Sequence, residues 1–231
     1  MRGIHERGPQ VTLFAWLFIG AVLAGASQTD AIDRWTAALR ANPADSAARA
    51  ALRAMVDGPD TTIDRYERIR GVLRQFPWAG RAVIASDGEP GERLVVSGTV
   101  RDEAGKAIAG ARLHVFQTDA KGHYTRARVM DEPHARLFAF IVTGADGRFE
   151  FSTIRPGGYP GTPERQGEQW RIPSHVHFEI DASGFAHRGF QMVFDDDPRM
   201  TPYWHEWARK GRHPVVRVVG GRAVCDVVLG R

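Results

Sequence analysis

The chain has 231 residues, 43% hydrophobic and 25% charged, proportions close to those of ordinary globular proteins, which excludes disordered, collagenous and low-complexity classes. Its 31 basic and 27 acidic side chains leave a net charge of +4, too even a balance to imply a nucleic-acid partner. Cys225 is the single cysteine, so no internal disulfide is available and stability must come from a buried core, with or without a metal ion.

The first element in chain order is the apolar run Val11 to Ala26, 16 residues long and shorter than the roughly 20 that a membrane-spanning helix needs. It follows Arg2 and Arg7 and ends in Ala24-Gly25-Ala26 just before Ser27, the layout of a secretory signal peptide occupying residues 1–26. Cleavage predicts an exported chain without a stable membrane span, whereas an uncleaved segment would anchor it.

Residues 27–88 read as a helical region. Apolar residues recur at three- and four-residue spacing from Ala31 to Leu39 until Asn42-Pro43. Asp45 is an N-cap for a second helix that stops at Asp57-Gly58-Pro59. A third starts at Thr61 or Thr62 and sets Ile63, Tyr66, Ile69, Val72 and Leu73 on one side before Pro77. Such a region suits a structural cap, or a surface through which copies of the chain form a homo-oligomer.

Past the turn-rich stretch Ser86 to Gly91, residues 89–231 change to valine, threonine and aromatics broken by Gly and Asp turns. Strands are predicted over Arg93–Arg101, Ala111–Gln117, Leu137–Thr143, Arg148–Thr153, His175–Ile180, Gly189–Phe194, Val215–Val219 and Ala223–Leu229, with Ala145-Asp146-Gly147 as a hairpin turn. Short strands without intervening helical patterns predict a mainly β domain, an antiparallel β-sandwich of prealbumin-like type.

Two histidines occur as His175-Val176-His177; on a strand they share a face and can point at one ion. Alone, that spacing is weak. Tyr124 and Tyr159 sit in loops rich in glycine and proline, so something other than their sequence neighbours must hold the rings. His114, His123, His134, His187, His205 and His213 have no partner spacing and read as surface or loop residues. Asp195-Asp196-Asp197 reads as a solvated turn, Tyr203, Trp204 and Trp207 as an aromatic cover or a wall near the site, and Cys225 as a buried core thiol.

From about Leu94 to Leu229 the chain resembles the intradiol ring-cleavage dioxygenases, the family of protocatechuate 3,4-dioxygenase and catechol 1,2-dioxygenase. The resemblance is carried by Ser97-Gly98-Thr99-Val100, by Phe116-Gln117-x-Asp119-Ala120-x-Gly122-x-Tyr124, and by Thr143-Gly144-Ala145-Asp146-Gly147-Arg148-Phe149. It continues through Arg155-Pro156-Gly157-Gly158-Tyr159-Pro160, Pro173-Ser174-His175-Val176-His177-Phe178, Gln191-Met192-Val193-Phe194 and Asp197-Pro198. The first stretch is shared with transthyretin-like modules; the ordered set of two tyrosines and two histidines is specific.

The resemblance implies a mononuclear non-haem Fe(III) held by Tyr124, Tyr159, His175 and His177, a catechol-like aromatic and O2 as substrates, and a cis,cis-muconate-type product. It implies that Tyr159 is the ligand a catechol displaces, acting with hydroxide as a base. The donor chemistry agrees, since a tyrosine pKa of about 10 means that only a strongly Lewis-acidic ion holds two phenolates at neutral pH. Hard anionic oxygens also favour ferric over ferrous iron, and zinc with two tyrosines is unusual. There are departures. The family commonly places Arg where this chain has Ile172; Arg171 is the neighbouring candidate for stabilising substrate charge. Gln191 matches an active-site glutamine or is a strand residue bonding backbone, and Phe116 replaces a more usual Trp in what reads as core packing. The alternatives are a non-catalytic transthyretin-like binding module and a zinc-dependent hydrolase built on His175 and His177, which would need an acidic or thiolate third ligand.

Overall fold

The computed structural model describes residues 31–58, 61–126, 131–161 and 167–231. The Val11 to Ala26 run lies outside them, and no helix among the described residues is long and apolar enough to cross a membrane.

The helical region forms as its capping residues dictate. Residues 31–41 are helical (α1). Asp45 accepts the Ala48 N–H and starts α2 (Ser46–Val56), and Thr62 accepts the Arg65 N–H and starts α3 (Ile63–Gln75). Tyr66, Ile69 and Leu73 are buried on one side of α3, but Ile63, expected with them, is 56% exposed because it begins the first turn, beyond the packed surface. The helical region ends at Gln75 rather than at residue 88, since β1 (Trp78–Ala79) and β2 (Arg81–Val83) already belong to the sheets.

Two sheets carry the rest. The first runs β1-β5-β4-β9-β10-β11, with β4 (Arg112–Gln117), β5 (Leu137–Val142), β9 (His175–Asp181), β10 (Arg188–Phe194) and β11 (Val215–Val216). The second runs β12-β3-β6-β2, with β3 (Arg93–Asp102), β6 (Arg148–Ile154) and β12 (Arg222–Val224); β13 (Val227–Leu229) pairs further along β3. A separate ribbon joins β7 (Tyr159–Pro160) to β8 (Arg171–Ile172).

The sheets are mixed, which corrects the antiparallel expectation. The inner pairs β5–β4, β4–β9, β9–β10 and β3–β6 are antiparallel, whereas β1, β2, β11, β12 and β13 all pair parallel with their neighbours. These outer strands are only two or three residues long, and none is joined to the strand it pairs with by a tight hairpin, so no local reversal sets their direction. The Ala145 to Gly147 segment is a tight turn, with the Gly147 N–H donating to Gly144 O at 3.0 Å, but it is not a hairpin. It carries the chain from β5 in one sheet to β6 in the other, where Phe149 and Phe151 are buried against β3. Helix α4 (Pro202–Gly211) also departs from the strand-only reading: Pro202 opens it, Trp204 and Ala208 pack inward four residues apart, and Arg212 ends it in a left-handed conformation.

Two cores result. One lies between the sheets and includes Val96, Phe151, Val176, Phe178, Phe194 and Cys225. The other lies between the helices and the outer face of the first sheet, where Leu39, Leu52, Tyr66 and Ile69 pack with Phe116, Phe138, Tyr124 and Tyr159. The helices therefore form one wall of the core that contains both tyrosines.

Candidate metal centre

Strand β9 turns His175 and His177 to one face, two residues apart, and both are buried. Their Nε2 atoms are 3.0 Å apart. Tyr124, from the loop after β4, places its Oη 2.8 Å from His177 Nε2, 3.3 Å from His175 Nε2 and 3.0 Å from Tyr159 Oη. Tyr159 Oη, from β7, is 3.4 Å from His175 Nε2. Four buried donors from three separate segments meet at one point.

Backbone and side-chain bonds lace the two tyrosine loops together. Asp119 Oδ1 accepts the N–H groups of Lys121 and His123, and the Gly157 N–H donates to Asp119 O at 2.8 Å. Thr118 Oγ1 donates to Gly157 O, Gln117 Nε2 to Ile154 O, and Thr153 Oγ1 to Gln117 Oε1. Gly122 has φ +84°, and a Cβ there would lie 2.7 Å from Gly158 O and 3.1 Å from Tyr159 Cβ, so glycine is what lets the loops touch. Beneath them Arg136 donates its N–H to Tyr124 O while its guanidinium is clamped by Glu89 and reaches Asp119.

The histidines have defined orientations. His175 Nδ1 donates to Pro173 O at 2.8 Å, and His177 Nδ1 faces the Glu132 carboxylate at 3.5 Å. With a hydrogen on each Nδ1, both Nε2 atoms direct lone pairs into the cluster. Burial pushes His175 down to about 4 and holds His177 well below the usual imidazole range, so both are neutral and ready to donate. Burial, then the neighbouring Tyr159, pushes the Tyr124 phenol far above its ordinary value, so a phenolate there requires a positive charge.

These residues fit a metal ion. Two Nε2 lone pairs facing each other at 3.0 Å repel unless a cation lies between them. Donors about 2.1 Å from a shared ion lie about 3.0 Å apart at right angles and about 3.4 Å apart at the tetrahedral angle. The observed separations, 2.8 to 3.4 Å, span both. Among the described residues no group of three or more His, Cys, Asp or Glu is placed to hold a metal, so a zinc hydrolase at His175 and His177 has no acidic or thiolate third ligand there.

Of the other expected site residues, Gln191 lies directly opposite His177 on β10, on the same face of the sheet. Arg171 is not brought to the cluster. In the β7–β8 ribbon Tyr159 pairs with Ile172 and Pro160 with Arg171, so Ile172 shares the Tyr159 side while Arg171 is exposed on the other. Three residues were not anticipated. Asp197, read as part of a solvated turn, is buried because its Oδ2 accepts both the N–H and the hydroxyl of Ser174, next to His175. His213 Nδ1 accepts the Gln191 N–H at 3.0 Å, and Glu132 faces His177. Apart from the Asp197-Pro198 pair within the resemblance, none carries a local signal, since each acts across 22 or more residues of chain.

A family model described as dioxygenase matches residues 78–215. The protocatechuate 3,4-dioxygenase beta chain of Burkholderia cepacia is 37% identical over 123 residues, 50% of each chain. Catechol 1,2-dioxygenase 2 of Acinetobacter lwoffii is 32% identical over 149 residues, 60% of this chain and 53% of the relative. The chain thus spans about half the length of the curated relatives it matches. Among solved structures, catechol 1,2-dioxygenase from Acinetobacter sp. ADP1 superposes with a TM-score of 0.54 at 24% identity, covering 66% of this chain and 57% of that one, a likeness of fold.

Proposed function

This chain belongs to the intradiol ring-cleaving dioxygenase family, and from that membership we propose that it opens a catechol-type ring with O2 at a mononuclear non-haem Fe(III) held by Tyr124, Tyr159, His175 and His177. The observation that carries the reading is the convergence of two phenols and two neutral imidazoles within 3.4 Å of one another in a buried cluster. The bond broken joins the two hydroxyl-bearing carbons, and both oxygen atoms enter a cis,cis-muconate-type diacid.

The ion, when bound, withdraws electron density from the diol and so activates the ring toward oxygen. The chain's own residues do the rest. Tyr159 stands on a two-residue strand at the end of the Gly157-Gly158 segment, where its Oη takes one of the protons the diol gives up. Tyr124 is laced into the loop beneath and stays in place, with its backbone carbonyl bonded to Arg136. His175 keeps its orientation through Pro173 O, and Asp197 pins Ser174 beside it. Phe116 and Ile172 line the cluster with apolar surface that keeps water away from the reacting ring. Gln191 is assigned a substrate-orienting role from its place opposite His177. Arg171, turned outward, is assigned none. Export, expected from residues 1–26, belongs to the same proposal and is checked by sequencing the amino terminus of the protein recovered outside the cytoplasm.

The test is the metal content of the purified protein and its visible spectrum before and after catechol is added without oxygen. Tyrosinate-to-ferric charge transfer colours the protein and shifts when catechol binds; Tyr159→Phe alters that band and slows ring cleavage, whereas His187→Ala leaves both alone. A colourless protein filled with zinc, or equal effects from the two substitutions, overturns the reading.

A further inference from the structure

We propose that Glu132 is a positioning residue for the ligand His177 and that helix α3 holds it there; the proposal rests on the ferric-site reading above. The two histidines are oriented by different means. His175 leans on a backbone carbonyl two residues away, which no side-chain substitution deletes. His177 Nδ1 faces a side chain from a different segment, Glu132 Oε1 at 3.5 Å, while Phe116 covers one face of its ring. A carboxylate at Nδ1 keeps the hydrogen on that nitrogen, leaves the Nε2 lone pair for the ion and strengthens its donation.

Glu132 belongs to a short 3-10 turn, Glu132–His134, that is docked onto α3. Tyr66 Oη donates to Ala135 O at 2.8 Å, and the Tyr66 ring meets His134 edge-on at 5.4 Å. His134 is held on one side by Asp131 at 2.7 Å and approached on the other by Glu67 at 3.8 Å. The helical region therefore reaches the metal ligand through two successive contacts, Tyr66 to the turn and Glu132 to His177. That gives it a role beyond covering the sheet: it sets how firmly one ligand is aimed.

The experiment follows loss of iron from the loaded full-length chain to a ferric chelator, read from decay of the visible band, for wild type, Glu132→Ala, Glu132→Gln and Tyr66→Phe. Glu132→Ala releases iron about 10- to 100-fold faster, the usual cost of removing an outer partner of a ligating histidine. Glu132→Gln, which keeps an acceptor oxygen, restores most of the difference, and Tyr66→Phe falls between. Release from Glu132→Ala at the wild-type rate, or equal rates for the Ala and Gln variants, overturns the role of Glu132; a wild-type rate in Tyr66→Phe overturns that of α3. Melting of the metal-free variants shows whether the fold is intact. If Glu132→Ala fails to fold, Glu132→Asp carries the test, faster release supporting the proposal and unchanged release overturning it. A wild-type chain that takes up no iron removes the ferric-site reading and this proposal together, whereas one that holds iron as firmly without Glu132 removes only the latter.

Discussion

Phe116 and His177 face each other across β4 and β9 and lie flat together, ring centroids 4.4 Å apart and planes 8° apart. The stack fixes the ring plane of a proposed iron ligand and fills core space at once. Phe116→Ala is expected to lower the unfolding free energy of the metal-free chain by about 3 kcal/mol, as for other large-to-small changes in a core. It also speeds iron loss, because His177 gains room to turn. Urea denaturation gives the first quantity and chelator competition the second; an unchanged midpoint would show that the site collapses around the deletion without cost.

Gly122 is the contact point of the two tyrosine loops. Gly122→Ala places a methyl group against Gly158 O at a left-handed backbone position that costs an L-residue about 1–2 kcal/mol. The expected outcome is a folded protein of slightly lower melting temperature that holds far less iron than wild type, since Tyr124 and Tyr159 are pushed apart. Elemental analysis beside circular dichroism distinguishes this from general unfolding. A variant with full iron occupancy would contradict the claim that the loops must touch.

His213 gives the protein a pH dependence whose sign can be worked out. Its Nδ1 accepts the Gln191 N–H only when neutral, and burial, helped by Arg188, holds it below the ordinary value of 6.5. Below that pH the unfolded chain takes up a proton that the folded one still refuses. The contribution is therefore fully present above pH 6.5 and is lost as pH falls through the lower folded value. Urea midpoints of wild type should fall more steeply below pH 6.5 than those of His213→Gln, in which the titrating group is gone. Parallel curves would show that this ring does not titrate on folding.

Cys225 is 1% exposed, and burial, with Asp226 adding to it, pushes its thiol up to about 12. At pH 8 the native protein is expected to resist a thiol-specific chromogenic reagent for hours and to react with one equivalent in urea. Prompt labelling of the native chain would mean that the region between β12 and β13 opens locally.

The legible features were those written in local pattern. Asp45 and Thr62 cap helices because a short oxygen-bearing side chain precedes an apolar period, and the spacing His175-x-His177 puts two imidazoles on one strand face whatever surrounds it. Helix α4 has a local signal too, in Thr201-Pro202 followed by Trp204 and Ala208, but the strand signals on either side of it are stronger.

What the sequence by itself determined is the set of parts: three helices before the strands, the longer strands at the centre of the two sheets, a buried lone thiol, and the two tyrosines and two histidines of the cluster in their order. The tertiary structure decided which way the parts face. Parallel edges follow from where a connection delivers a strand, and the outward turn of Arg171 follows from the pairing of Tyr159 with Ile172. The choice of Asp197 to hold Ser174, of His213 to hold Gln191 and of Glu132 to face His177 follows from packing across long stretches of chain. Periodicity and capping are energies between residues close in sequence, and the chain records them directly; orientation in the tyrosine and histidine cluster is an energy between residues that meet only after folding.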